Sequence, residues 1–276
     1  MADYRKKLQT TFRLVLEYDG SRYQGWQRQS DLQHAAGVRT ISDTINRQLH
    51  RAGIKVLHLV GSGRTDAGVH ALGQVACLQL AQPITTYELR MALERHLPYD
   101  IALARIAPVD SDFNPRREAI SRSYLYQIAL RKGAFAKSYT WWPKGDIDMR
   151  LLQGAWASFE GNHSMSAFAD LEKNENPHCQ IYHCQSEVCE NVLLLRATAR
   201  FFLRKQVRRM VGATIHCSVG NADILQIRKD LLRPSPDATL FWAERAAPAS
   251  GLFLEYVQYP GDDRPCELRP ILRILK

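Results

Sequence analysis

The sequence holds no apolar run of roughly eighteen residues or more, so no segment is expected to cross a membrane. Met1–Lys7 is polar and basic with no apolar stretch behind it, so no secretory signal is visible and the cytoplasm is the expected compartment. There the six cysteines, Cys77, Cys179, Cys184, Cys189, Cys217 and Cys266, are expected to be thiols. No G-x-G-x-x-G dinucleotide pattern and no G-K-[ST] phosphate loop stands in the glycine-rich region, no string resembles the RNP1 motif of RNA-recognition modules, and no internal sequence repeat appears. Acidic residues are in deficit, 28 Asp and Glu against 37 Lys and Arg, a formal charge of +9 that suits a polyanionic partner, nucleic acid first. With 276 residues and 45% hydrophobic content, the chain is long and apolar enough for one large domain or two small ones.

What is present centres on Gly61-Ser62-Gly63-Arg64-Thr65-Asp66-Ala67-Gly68-Val69-His70-Ala71. Strand-like apolar residues precede it (Val56, Leu57, Leu59, Val60) and follow it (Val75, Ala76, Cys77, Leu78). An acid on a turn between two strands, with Arg64 two residues away, is built to stay ionised. That is the state a carboxylate nucleophile or base requires. Spacing alone leaves a plain turn, a phosphate cradle and a catalytic loop all open.

Phe12, Leu14, Leu16 and Tyr18 alternate with polar or smaller residues, a strand with one apolar face that Asp19-Gly20 ends as a turn. Ile41, Ile45 and Leu49 have helical spacing, and Thr85-x-x-Glu88 opens a second helix carrying Leu89 and Leu93. Leu97-Pro98 stops that helix, and Ile101–Val109 forms a strand. The order is βαββαβ. The second half repeats it: strand Tyr124–Leu130, a helix capped by Asp148, strands near Tyr182–Cys189 and Asn191–Ala199, helices near Leu203–Val219 and Asp223–Leu232, and strand Leu252–Tyr259, with one extra helix. The expected fold class is therefore α+β: two ferredoxin-like halves, similar in topology to RNA-recognition modules, joined into one extended antiparallel sheet with helices on one face and a central cleft. The expected division is 8–110, 111–262 and a tail, 263–276.

The string GRTDAGVHA closely resembles the signature of the tRNA pseudouridine synthase A family. Glu17–Gln29 is similar to that family's first motif, Gly161–Phe168 to its G-x-H-[DN]-F-x-x-F segment, and Ala247–Leu252 to its A-P-x-x-G-L. Arg122–Tyr126 resembles its R-x-Y-x-Y strand, and Phe202–Gly212 its A-F-[LV]-x-x-M-V-R-x-[IM]-V-G helix. The family's asparagine and alanine are replaced here by Arg200 and Phe201, its methionine by Gln206, and Glu94–Pro98 lacks its asparagines. These departures leave open which uridines are chosen.

The resemblance implies isomerisation of uridine to pseudouridine in tRNA, in the anticodon stem-loop around nucleotides 38 to 40, by a homodimer without cofactor or metal. It places the nucleophile on Asp66, an active-site tyrosine on Tyr124 and the arginine that pairs with the aspartate on Arg208. Attack at C1′, attack at C6 and a glycal route all remain open. Arg64 would replace the flipped nucleotide or grip its phosphate. Arg22 and Arg28, in the first motif, are further RNA-binding candidates. Helical spacing puts Val207, Met210 and Val211 toward the core and Arg208 at the edge of that face, with Arg204 on its side one turn earlier. Lys205 and Arg209 form another basic pair, phosphate contacts or solvated charge. Tyr126, on the same side of its strand as Tyr124, is expected to be a core residue with its hydroxyl bonded.

Two other classes compete. A non-catalytic RNA-binding protein, or a synthase with a different RNA target, would use the same fold and charge. A zinc site would draw on His178, Cys179, His183, Cys184 and Cys189, although C-x₄-C is loose for zinc and no second pair is present.

Overall fold

The alternation at the start of the chain forms a strand. In the computed structural model, which describes residues 9–27, 39–263 and 267–271, β1 spans Gln9–Tyr18. Phe12, Leu14, Leu16 and Tyr18 are buried on it while Glu17 is exposed, as the two-residue period of a one-sided strand requires. Helix α1 covers Ile41–Arg51; the Thr40 side chain caps it by accepting from the Asp43 amide, and Ile41, Ile45 and Leu49 form its buried stripe. Strands β2 (Val56–Gly61) and β3 (His70–Ile84) follow. Helix α2, Thr86–His96, opens on the expected capping box, in which Glu88 N donates to the Thr85 hydroxyl and Thr85 N to the Glu88 carboxylate. It ends at Leu97, held extended by the following proline, and β4 runs Ile101–Pro108.

Strand β5 is Ser121–Ala129 and helix α3 is Met149–Ala157, capped by Asp148. Short β6 (Gly161–Ser164) precedes β7 (His178–Cys189) and β8 (Val192–Ala199). Helices α4 (Gln206–Ser218), α5 (Ile224–Leu232) and α6 (Pro236–Glu244) lead to β9, Leu252–Gln258. The second half thus carries two helices beyond a βαββαβ order rather than one, and an additional strand. α6 is a nine-residue helix with little amphipathic periodicity, so apolar spacing does not reveal it. Its start does carry a signal, Ser235 capping the Ala238 amide with Pro236 in the first turn.

The chain divides into two units, Met1–Ile120 with Leu254–Pro260, and Ser121–Phe253 with Gly261–Lys276. In the first, β4, β1, β3 and β2 lie side by side in that order, all antiparallel, with Leu14 opposite both Ala76 and Ile106. β3 is long enough, at 15 residues, to neighbour β9 as well as β2.

In the second unit the order is β5, β8, β7, β6, again antiparallel. Every residue of β5 and β8 is buried, so polar side chains there must find partners. Arg122 donates to Arg200 O at 2.6 Å, and the Gln127 amide donates to Tyr139 O at 2.9 Å while accepting from Ile271 N at 2.8 Å. An aromatic chain fills the helical side of this unit: Trp156, Phe159, Phe168 and Trp242 meet in succession at centroid separations of 6.2, 5.1 and 5.4 Å. The Trp242 indole donates to Asp230 at 2.8 Å, giving that buried carboxylate a partner.

Candidate active site

In the first unit, β2 ends at Gly61 and β3 begins at His70, so Arg64 and Asp66 ride on the loop between two paired strands. Val69 N donates to Asp66 O at 3.1 Å, closing a turn in which Gly68 has φ +77. That is the third position of a type II turn, which glycine occupies without strain. Backbone bonds tie the loop down on both sides: Ser62 N to Val75 O at 2.7 Å, Trp26 N to Thr65 O at 3.1 Å, and Gly68 N to Tyr23 O at 3.1 Å. Gly20 N donates to the buried His70 Nδ1 at 3.1 Å. The segment at residues 20–26 thus lies directly on the Asp66 loop. Gly25 shows how closely: with φ +87, a Cβ there would stand 2.3 Å from Thr65 O. Asp66 is half-buried and Arg64 exposed.

Arg116 joins this loop although nothing in its local spacing singles it out. Its Nε donates to Gly61 O at 3.1 Å. Burial, and then the neighbouring Arg64 charge, pull its guanidinium below the ordinary value, though an arginine stays charged at any working pH. Of the first-motif arginines, Arg22 is exposed at the end of a 3-10 turn, Gly20–Arg22, while Arg28 lies outside the described residues.

The second unit holds Tyr124 and the α4 residues. Tyr124 is 8% exposed on β5, paired with Ala197, and its ring meets Phe202 edge-on at 5.3 Å. Tyr126 is a core residue: fully buried, it donates to Pro248 O at 2.7 Å, and burial raises its hydroxyl well above the usual value. Arg208 is half-buried on α4, close enough to Tyr126 for its charge to act on that hydroxyl. Its Nε donates to Ala247 O at 2.7 Å.

Two expectations about α4 need correction. The helix begins at Gln206, so Arg204 is not one helical turn before Arg208; it lies outside the helix in an antiparallel bridge with Asp170, its side chain exposed. Arg209 is neither a phosphate contact nor a solvated charge. It is 3% exposed, donates to Ala169 O at 2.9 Å, and forms an ion pair with Asp170. Lys205, the left-handed residue before α4 (φ +59), pairs with the same carboxylate at 2.6 Å. Burial alone would raise the Asp170 pKa, but the Lys205 hydrogen bond and the charges of Arg209, Lys205 and Arg204 outweigh it and hold the carboxyl below its usual range. Asp170 stands 39 residues from Arg209 in sequence, so no local pattern connects them.

The His178–Cys189 group is strung along β7. Cys179 is buried there, donates to Phe201 O at 3.1 Å, and burial pushes its thiol up to about 11. Among the described residues no three His, Cys, Asp or Glu side chains form a group able to hold a metal ion, and no helix is long and apolar enough to cross a membrane.

The family described as tRNA pseudouridine synthase matches residues 14–116 and 155–260. The tRNA pseudouridine synthase A of Agrobacterium fabrum is 32% identical over 266 residues, covering 94% of this chain and 96% of that protein. Its counterpart in Methylobacterium nodulans is 33% identical over 258 residues, with 90% and 96% covered. That of Maricaulis maris is 32% identical over 254 residues, with 91% and 98% covered.

Proposed function

Since the chain belongs to the tRNA pseudouridine synthase family, enzymes that isomerise uridine to pseudouridine in tRNA, we propose that Asp66 is its attacking carboxylate and the anticodon stem-loop, around nucleotides 38 to 40, its target. The observation that carries the reading is the hold on Asp66: a half-buried carboxylate on a loop whose backbone donates to Tyr23 O and Val75 O and accepts from Trp26 N.

The reaction balances within one nucleotide. The C1′–N1 bond breaks, the uracil turns, a C1′–C5 bond forms, C5 loses its proton and N1 gains one. No electrons leave and no group is transferred, so the balance requires neither a redox cofactor nor a metal. In this reading Asp66 attacks C1′ or C6, or takes the 2′ proton on a glycal route. Tyr124 stacks on the target base and exchanges a proton at C5 or C2′. Arg208 keeps the carboxylate ionised and oriented. Arg64, Arg22, Arg28, Arg204 and Lys205 contact RNA, with Arg64 filling the space of the extruded nucleotide or holding its phosphate. Extrusion costs a few kcal/mol, offset by stacking and backbone contacts. The proposal extends to two ferredoxin-like halves, 8–110 and 111–262, and to a cytoplasmic homodimer.

The test is pseudouridine mapping of total tRNA from cells lacking the protein and from complemented cells. Loss in the anticodon arm, restored by wild type but not by Asp66→Ala, is the expected result. Unchanged anticodon-arm modification with losses elsewhere moves the target to another RNA position. Full restoration by Asp66→Ala removes the nucleophile assignment.

A further inference from the structure

Strands β1 and β3 pair with Leu16 opposite Gln74 and Tyr18 opposite Ala71. Among the Phe, Leu, Val and Ala side chains that these strands bury, Gln74 and Tyr18 place an amide and a phenol, 0% and 3% exposed. Polar groups buried in such a layer are costly unless bonded. Their bonds run to the Asp66 loop. Gln74 Nε2 donates to Gly63 O at 2.7 Å, and Gly63 N points back at Gln74 Oε1 at 3.4 Å. The Tyr18 and Thr65 hydroxyls are 2.9 Å apart, and Gln74 Nε2 also reaches the Tyr18 oxygen at 3.4 Å. With the amide donating into the phenol oxygen, the phenol proton is directed to Thr65 Oγ1. Burial holds the Tyr18 hydroxyl well above its ordinary pKa, so it keeps that proton.

The two residues gripped this way, Gly63 and Thr65, flank Arg64, and Thr65 is bonded directly to Asp66. A loop containing Gly61, Gly63 and Gly68 has wide conformational freedom of its own. A misplacement of about 1 Å at a reacting group costs on the order of a hundredfold in rate.

We propose that Tyr18 and Gln74 are positioning residues for the isomerisation, a buried brace that holds the Gly63–Thr65 backbone so that Arg64 and Asp66 keep one orientation through the reaction. The inference rests on Asp66 being the attacking carboxylate. It assigns a role to two strand residues that are buried beneath the loop.

The test is single-turnover pseudouridine formation on tRNA at saturating enzyme, with the tRNA Kd measured in parallel and folding checked by circular dichroism. Gln74→Leu is expected to slow the step roughly tenfold or more and Tyr18→Phe about threefold or more, with tRNA Kd within about twofold of wild type. Gln74→Glu adds a readout that a packing role would not move. Its neutral acid can donate to Gly63 O and accept from Gly63 N, whereas its carboxylate cannot donate. Its rate relative to wild type is expected to fall about tenfold between roughly pH 5.5 and pH 8. Should Gln74→Leu fail to fold, Tyr18→Phe and the Gln74→Glu profile decide. Wild-type rates in the brace variants alongside an inactive Asp66→Ala overturn the brace and leave the nucleophile standing. Slower turnover explained wholly by weaker tRNA binding also overturns it. An active Asp66→Ala removes the nucleophile reading and the brace with it.

Discussion

Arg208 and Ala247 exchange two hydrogen bonds: the Arg208 Nε donates to Ala247 O at 2.7 Å, and Ala247 N donates to Arg208 O at 2.9 Å. The guanidinium is thereby clamped along one edge by the backbone that precedes β9, and its plane is set before any substrate arrives. A lysine has no Nε–H in that position and no rigid fork to hold. Arg208→Lys is expected to fold normally and to lose roughly 10- to 100-fold in kcat, the worth of a charge-assisted hydrogen bond. Steady-state kinetics on tRNA with thermal melts check this; an unchanged kcat would make Arg208 a structural residue.

The approach of residues 20–26 to the Asp66 loop makes a second prediction. At Gly25 an alanine meets both a left-handed φ of +87 and Thr65 O at 2.3 Å. Neither is relieved by rotating a side chain, because the opposing atom is backbone. Gly25→Ala is expected to cost about 2–4 kcal/mol, the left-handed penalty plus overpacking, and to lower activity in the population that stays folded. Urea unfolding with parallel turnover measurements tests it. A loss of stability below about 0.5 kcal/mol would show that the loop yields easily.

Local patterns carry the parts of this fold that local physics determines. The Thr85–Glu88 box, the Asp148 cap and the alternation of Phe12 to Tyr18 each depend on residues a few positions apart, and each forms as spacing predicts. The position of Asp66 between two strands is legible for the same reason. What spacing cannot carry is pairing across the chain. Arg209 looks like a solvated charge until Asp170 is placed beside it, and Gln74 and Tyr18 look like ordinary strand residues until β1 and β3 are in register. Four-residue β6 is too short to show a period, and α6 is apolar around much of its circumference, as Leu240 and Trp242 illustrate.

Asp170 supplies the third prediction. It is the shared partner of Lys205 and of the buried Arg209, at the start of the helix that carries Arg208. Asp170→Ala leaves the Arg209 guanidinium buried without its carboxylate, expected to cost about 2–3 kcal/mol; the figure is set below the fully buried case because Asp170 is 31% exposed. Because the folded carboxyl sits below its usual pKa, its contribution is complete above the unfolded value, about pH 4, and is lost as pH falls through the lower folded value. The stability gap between wild type and Asp170→Asn is therefore expected to be constant from neutral pH to about pH 4 and to close below it. Urea melts across that range measure it; a gap that widens in acid would show that the carboxyl is not held ionised.

Arg64 and Arg116 supply the fourth. Arg116 is anchored through Nε to Gly61 O, and Arg64 is near enough for its charge to weaken that guanidinium's hold on its proton. A phosphate backbone attracts arginine side chains and releases its condensed counterions when they bind. If each arginine meets one phosphate, Arg64→Ala and Arg116→Ala each reduce the slope of log Kobs against log salt by about 0.7–0.9, and the double variant by about twice that. The two substitutions should also differ in kind. Arg64 adjoins the Asp66 turn and is assigned to the space left by the flipped base, so its loss should lower kcat as well as affinity, whereas loss of Arg116 should act on affinity alone at saturating tRNA. Binding titrations between about 50 and 200 mM salt, with kcat measured in parallel, separate the two. An unchanged slope for both variants would show that the pair faces no phosphate, and an unchanged kcat for Arg64→Ala would remove its part in extruding the base.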